Sequence, residues 1–141
     1  MGKKVILIAG GSGGIGKAIA AELATKHQVV ILSRSINQLE RVAMSLAVEY
    51  EVADVTDAES LKQAVDHVLA KHGQIDVAIN SVGMLIDGAL DQCQPAEIKR
   101  LLEANVLGAI YFSQAVLPRM KQLRQGKIIH LCSQAGLVAR K

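Results

Sequence analysis

Three glycines near the N-terminus have the spacing of a phosphate-binding loop. The stretch "ILIAGGSGGIGKAIAAEL" places Gly10, Gly14 and Gly16 between an apolar run and a segment with helical period. Glycine is required where a backbone turns tightly, approaches a pyrophosphate or lets a helix pack on a strand, and a helix N-terminus offers N–H groups to the anion. The alternative is a merely flexible turn. The strand before the loop and the helix after it favour a dinucleotide site.

The residues at the end of the second apolar run, "VVILSRS", predict which dinucleotide such a loop would hold. A carboxylate there would accept the ribose hydroxyls of NAD and repel a 2′-phosphate. This sequence has Ser33 at that place, followed by Arg34. A charged hydrogen bond from arginine to phosphate contributes about 1.5 to 3 kcal/mol, on the order of ten- to a hundredfold in affinity. NADP(H) is therefore predicted over NAD(H), unless Arg34 is only a solvated surface charge.

The remaining polar side chains that could do chemistry are Ser133, near the end of the sequence, and four histidines. Ser133 follows a run that reads as a buried strand and that also contains His130. We predict a solvated role for His27, His67 and His72, which fall near helix ends or on helix faces.

The composition indicates the class of fold that must position these residues. The sequence has 141 residues, the length of one domain, and is 50% apolar but only 2% aromatic. Such a core of Val, Ile, Leu and Ala is typical of parallel strands covered by helices. The net charge of +3 includes no basic run, which excludes nucleic acid as an expected partner. Cys93 and Cys132 lack metal-site or disulfide spacing, so we expect no metal and a reducing, cytoplasmic location.

Apolar runs alternate with segments of helical period along the whole sequence. The predicted strands lie in "KVILIAG", "QVVILSR", "VEYEVADV", "QIDVAINSVG" and "GKIIHLCS". The predicted helices are Gly14 to Lys26, Asn37 to Leu46, Ala58 to His72 and Pro95 to Gln125, with caps at Asp57 and Gln94. This alternation predicts a Rossmann-type α/β fold, a doubly wound parallel sheet in strand order 3-2-1-4-5 with helices on both faces. No apolar stretch approaches the length that we expect of a membrane span.

The fourth predicted helix, residues 95–125, is apolar nearly all the way round. A helix of this kind needs cover on more than one side. It is either the central helix of a larger domain or a subunit interface, and the two interpretations are compatible.

Five stretches, in order, resemble the short-chain dehydrogenase/reductase family. The glycine loop is similar to the family's TGxxxGIG, with Ala9 in place of Thr, and "DVTD", "NSVG", "ANVLG" and "GKIIHLCSQAG" match later motifs, although Ser81 and Val82 depart from NNAG. The resemblance implies that Asn105 and Ser133 are catalytic, and that the Ser133 hydroxyl orients the substrate oxygen but cannot protonate it. It implies cofactor contacts at Gly10, Ser12, Gly14, Ile15, Gly16, Ser33, Arg34, Asp54, Val55, Asn80 and Gly83. His130 stands where the family often has Asn, so it could neighbour the site.

The resemblance also implies a Tyr-x-x-x-Lys pair, in which the lysine lowers the pKa of a proton-transferring tyrosine, roughly a dozen residues beyond Ser133. Eight residues follow Ser133. Tyr50 and Tyr111 are each followed four residues later by Asp54 and Ala115, not by lysine, and are predicted to be structural. We therefore expect residues 1–141 to form a single NAD(P)-binding domain that is incomplete at its C-terminus, and this chain alone to be inactive.

Three functions follow from these predictions. The first is an NADP-dependent oxidoreductase that acts on a small-molecule ketone, aldehyde or secondary alcohol, with "QLER" and "SQAG" weakly indicating a 3-oxoacyl or keto-lipid substrate. The second is a truncated dinucleotide-binding module without turnover, and the third is a structural partner that pairs through the long helix. The family resemblance implies a homodimer or homotetramer, built through residues 95–125. The charge pattern and the lengths of the apolar runs predict neither nucleic acid nor a membrane as a partner.

Overall fold

The computed structural model describes residues 2–134 and 137, which form alternating strands and helices. In chain order these are β1 Val5–Ala9, α1 Gly14–Ala24, β2 Gln28–Ser33, α2 Ile36–Leu46, β3 Glu49–Val52, α3 Ala58–His72, β4 Val77–Asn80, α4 Pro95–Leu102, α5 Gly108–Leu123 and β5 Lys127–His130. A short 3-10 turn, Leu90–Gln92, precedes α4. The strands are all parallel and lie in the order β3-β2-β1-β4-β5, which confirms the predicted topology.

The core has two layers because side chains alternate between the two faces of each strand. On one face Leu7 of β1 packs with Val65 of α3 and Phe112 of α5. On the other face Ile8 packs with the residues of α1 and α2, among them Leu39. All five residues of β1 are buried. The prediction of helices on both faces is thereby confirmed.

Residues 95–123 form one long helical stretch that contains a single π-turn. The predicted cap is confirmed: Gln94 and Glu97 form a capping box, with Pro95 in the first turn. The π-turn spans Glu103–Leu107 and separates α4 from α5. The sequence predicts one uninterrupted helix here because a π-turn inserts a residue without changing the apolar character of the segment.

The sequence predicts that this long helix needs cover on more than one side. In the described residues only part of its surface is covered. Phe112, Val116 and Met120 are buried against the sheet. Ile110 and Leu117, which point elsewhere, are 46% and 41% exposed. By length and composition alone Pro95–Leu123 could cross a membrane, with a mean hydropathy of 1.2 in its most apolar window. This corrects the expectation that no stretch approaches such a length, although core helices of soluble proteins share these properties.

His72 differs from its predicted solvated role. Its side chain is only 14% exposed, and its Nε2 lies 2.9 Å from Glu49 Oε2. Lys71 Nζ lies 3.0 Å from the same carboxylate oxygen. Partial burial alone would raise the pKa of Glu49, but hydrogen bonds and charges from His72 and Lys71 outweigh burial and lower that pKa. The end of α3 is thus tied to the start of β3.

Candidate functional site

A cavity of about 710 Å³ lies at the carboxyl ends of the strands, beside the point where the strand order reverses between β1 and β4. Ligands of doubly wound sheets bind in this crevice. Seven predicted cofactor contacts line it: Gly10, Ser12, Ser33, Arg34, Asp54, Val55 and Gly83. Gly14, Ile15, Gly16 and Asn80 do not line it, and neither do Asn105 and Ser133.

The glycine loop is shaped by close packing against the segment after β4. Gly10 has a φ of 78°, a conformation that side chains disfavour. A Cβ atom at Gly16 would collide with Gly10 O and lie 2.6 Å from Ser81 Oγ. Ser81 in turn donates a hydrogen bond to Ala9 O at 2.7 Å. These contacts require glycine at both positions and hold the loop at one edge of the cavity.

The start of α1 fits an anion. Its N-cap is Gly13, which provides no side-chain hydrogen bond, so the first-turn amides of Gly14, Ile15 and Gly16 have no side-chain cap. A Cβ atom at Gly14 would meet no protein atom within 4 Å, so the space in front of it is open. A pyrophosphate group fits this open, positively polarised helix end.

Ser33 and Arg34 form the next part of the cavity rim. Ser12 Oγ donates to Ser33 Oγ at 2.8 Å, and the Ser35 amide donates to the same oxygen at 3.3 Å. The Arg34 side chain is 77% exposed and its nearest anionic partner is Asp54, with Nη1 3.8 Å from Oδ2. No carboxylate occupies the position of Ser33, so this rim is free to receive a phosphate beside a guanidinium.

Asp54 and Val55 are held in place by a local turn and by helix packing. Asp54 Oδ1 accepts hydrogen bonds from the amide of Thr56 at 2.9 Å and from its hydroxyl at 2.8 Å. Val55 is buried, and a Cβ atom at Gly108 would lie 3.0 Å from its Cγ2. Glycine at position 108 thus allows α5 to approach this wall of the cavity closely.

Asn80 and Asn105 act on the cavity indirectly, through the backbone between them. Asn80 is 4% exposed, and its Oδ1 accepts from the Val82 amide at 3.1 Å. Asn105 Oδ1 accepts from the Met84 amide at 2.7 Å, and its Nδ2 donates to Met84 O at 2.8 Å. The two asparagines therefore fix the two ends of a segment, residues 82–84, that lines the cavity.

Ser133 follows β5 and is exposed. Asn105 lies in the π-turn, whose last hydrogen bond runs from Gly108 N to Glu103 O. Residues 135 and 136 of "SQAG" lie outside the described residues. Among the described residues no group of three or more His, Cys, Asp and Glu side chains could hold a metal ion.

Twelve of the nineteen residues that line the cavity are not among the predicted cofactor contacts. Ser35, the N-cap of α2, directly follows Arg34, and this adjacency in the sequence is a usable signal. Arg100 has no such signal, because nothing in the sequence indicates that α4 reaches the cavity. The missed lining residues are Gly13, Leu32, Ser35, Gln38, Ala53, Thr56, Ser81, Val82, Met84, Arg100, Glu103 and Ala104.

Comparisons with known proteins agree with this geometry. A family model described as short chain dehydrogenase matches residues 4–141. The chain is similar to a 3-ketodihydrosphingosine reductase of Bacteroides thetaiotaomicron, with 35% identity over 98% of this chain and 50% of the relative. It is also similar to a 3-dehydrosphinganine reductase of Danio rerio, with 32% identity over 94% of this chain and 43% of the relative. The chain thus spans about half the length of these two relatives.

Solved structures with the same fold include one that contains a dinucleotide. The chain superimposes on ElxO with NADP bound with a TM-score of 0.91 and 29% identity, over 99% of this chain and 59% of that one. A short-chain type dehydrogenase/reductase from Mycobacterium ulcerans gives a TM-score of 0.93 and 26% identity, over 97% of this chain and 54% of that one.

Proposed function

Because the chain belongs to the short-chain dehydrogenase family, we propose that the protein is an NADP-dependent oxidoreductase acting on a carbonyl or secondary alcohol carbon. The family membership supports the oxidoreductase class. The observation that carries the cofactor preference is Arg34 on the cavity rim beside Ser33, at a place without a carboxylate.

The residues that line the cavity, and the end of α1 beside it, match successive parts of a dinucleotide. The first-turn amides of α1 would hold the pyrophosphate, and Arg34 would meet the 2′-phosphate. Asp54 and Val55 would contact the adenine. The bound cofactor would supply or accept the hydride. NADP in the similar ElxO structure supports this preference without deciding it.

Asn105 and Ser133 are proposed to prepare the reacting end of the site. Asn105 holds Met84 through both backbone groups and so fixes the cavity wall. The Ser133 hydroxyl would donate a hydrogen bond to the substrate oxygen. A serine hydroxyl is too weak an acid to protonate that oxygen, so a separate acid must transfer the proton.

We further propose a long-chain 3-oxo compound as the substrate class. The reductases from Bacteroides thetaiotaomicron and Danio rerio support this proposal through the names that they carry. The same proposal describes a cytoplasmic homo-oligomer, either a dimer or a tetramer, that acts on a small molecule. Neither nucleic acid nor a membrane surface is a proposed partner.

The experiment that tests the proposal compares cofactor binding with turnover. NADPH and NADH are titrated separately, and NADPH consumption is then followed with a long-chain 3-oxo ester. We expect tighter binding of NADPH than NADH, and Ser133→Ala should lower kcat by about a hundredfold without changing the NADPH Kd. Ser45→Ala, on α2 outside the cavity, is the matched control.

Two results would contradict parts of the proposal. Tighter binding of NADH would overturn the cofactor preference. We propose that residues 1–141 alone are inactive, so turnover is measured on the whole protein, where NADPH binding without any turnover would replace the enzyme with a dinucleotide-binding module.

A further inference from the structure

His130 links the cavity wall to α5. It pairs with Asn80 across the β4–β5 ladder, and its Nδ1 lies 3.4 Å from Asn80 Nδ2. Its Nε2 lies 2.9 Å from Ser113 Oγ. The ring also packs edge-on against Phe112, with 6.4 Å between ring centroids. One imidazole therefore connects two polar side chains on different elements.

The directions of the hydrogen bonds assign one tautomer to this ring. Asn80 Oδ1 accepts from the Val82 amide, so Asn80 Nδ2 faces the imidazole and can only donate. His130 Nδ1 must then accept, which leaves the proton on Nε2. That proton goes to Ser113 Oγ, whose own hydrogen goes to Ala109 O at 2.9 Å. Every donor in this series meets an acceptor only when His130 is neutral and protonated on Nε2.

We propose that neutral His130 is a positioning residue that fixes the Asn80 amide, and through it the Val82 wall of the cavity, and that protonation of the ring releases this wall. Asn80 is 4% exposed, so water cannot easily replace a lost partner. On protonation, Nδ1–H would face the Asn80 amino group, and two donors cannot bond. Either the ring turns away or the amide turns over and leaves Val82 without its acceptor.

In the part of the chain that the structure describes, the contacts of the His130 ring include no carboxylate that would compensate an imidazolium. The groups that face the ring are Asn80 from β4 and Phe112 and Ser113 from α5, all uncharged at neutral pH. The Cys132 thiol donates to the His130 backbone oxygen, with 3.9 Å from Sγ to O. Within residues 2–134 and 137 no carboxylate lies within ion-pair distance of the ring. Because His130 is exposed, solvent protons can reach it.

The first experiment needs no cofactor and is independent of the proposed function. Nitrogen NMR of the labelled histidines reports the tautomer, and the Val82 amide resonance reports the cavity wall. We expect Nε2–H at high pH, and a Val82 resonance that moves on acidification in the wild type but not in His130→Asn. A proton on Nδ1, or the same Val82 titration in the variant, would overturn the proposal.

The second experiment uses two variants that each keep one half of the link. The Asn side chain places its amide near the Nδ1 position, so His130→Asn retains an acceptor for Asn80 that does not titrate. The Gln side chain reaches the Nε2 position, so His130→Gln retains the Ser113 contact and loses the acceptor for Asn80. Both variants lack the imidazole ring, so the effect of losing the packing of that ring is common to the two and cancels when they are compared.

The NADPH readout rests on the proposed function. The ratio of wild-type to His130→Asn NADPH affinity should fall about three- to tenfold on acidification. His130→Gln should bind NADPH more weakly than His130→Asn by this factor already at high pH. Taking the ratio of the two affinities cancels the titration of the 2′-phosphate, because both proteins bind the same NADPH. A flat ratio with intact binding would overturn the positioning role alone. Absence of NADPH binding to the wild type would overturn the proposed function, and the NMR result would still decide for or against His130.

Discussion

Arg34 lies on the cavity rim with a weak competing partner. Its ion pair with Asp54 is long, at 3.8 Å, and the Arg34 side chain is 77% exposed. Exposed pairs of this kind contribute about 0 to 1 kcal/mol, less than a charged hydrogen bond to phosphate. Arg34 can therefore leave Asp54 for a 2′-phosphate at small cost. A guanidinium held in a short, buried ion pair would not be available in this way.

We predict that Arg34→Ala weakens NADPH binding by about ten- to a hundredfold and changes NADH binding little. The reason is that only NADPH carries the 2′-phosphate. The measurement is the pair of dissociation constants by fluorescence titration. Arg41→Ala, an exposed arginine of α2 that does not line the cavity, is the matched control. An equal loss for both cofactors would mean that Arg34 acts on something other than the phosphate.

Some site residues are predictable from sequence because their position allows only one residue type. Gly10 needs a positive φ, and Gly16 has no space for a Cβ atom. The cavity-lining side chains Gln38 and Arg100 are different, since many residue types can line a cavity. Their presence there follows from how α2 and α4 pack, and tertiary packing leaves no local signal in one sequence.

At the scale of elements, the contact between α3 and β3 depends on the charge of Glu49. His72 and Lys71 keep the pKa of Glu49 below its ordinary value of 4.5. A carboxyl whose pKa is lower in the folded than in the unfolded state stabilises the fold above its unfolded pKa, and this stabilisation is lost as the pH falls through the folded pKa. The stabilisation from the charged Glu49 carboxylate is therefore present at pH 7 and is lost in acid.

Glu49→Gln should lower the free energy of unfolding at pH 7 by about 0.5 to 1 kcal/mol, because the pair is partly exposed. The difference from the wild type should shrink as the pH falls below about 4.5. Urea unfolding at several pH values measures it. Glu22→Gln, on the exposed side of α1, is the control and should run parallel to the wild type. A constant difference across the acid range would show that packing, and not charge, is responsible.

The strand order could be predicted because apolar runs alternate with helical segments, and parallel crossovers leave few topologies. The role of His72 could not be predicted. It lies at the end of α3, where a solvated side chain is the usual outcome, and its partner Glu49 is 23 residues away in the chain. The π-turn at Glu103–Leu107 also has no sequence signal, yet it contains Asn105.

For the whole molecule, the face of the long helix that points away from the sheet is the largest unexplained feature. Val106, Ile110 and Leu117 are each more than 40% exposed, although buried Phe112 lies on the same helical stretch. Exposed apolar patches of this kind mark surfaces that another part of a protein covers. The sequence predicts that cover is needed, but it leaves open whether the cover is a second copy or further parts of the same domain.

We predict that a second copy covers this face, so that the protein sediments as a dimer or tetramer and Ile110→Glu shifts it to the monomer. The carboxylate would be buried without a partner in the interface, which is strongly unfavourable for association and harmless on an exposed surface. Met44→Glu, on α2 and 85% exposed in the wild type, is the matched control and should leave the mass unchanged.

Sedimentation velocity and the helical circular dichroism of both variants are measured together. Dissociation with full helical signal supports the subunit interface. If Ile110→Glu instead loses the helical signal, the face belongs to the interior of one domain, and an unchanged oligomer would mean that association uses a different surface.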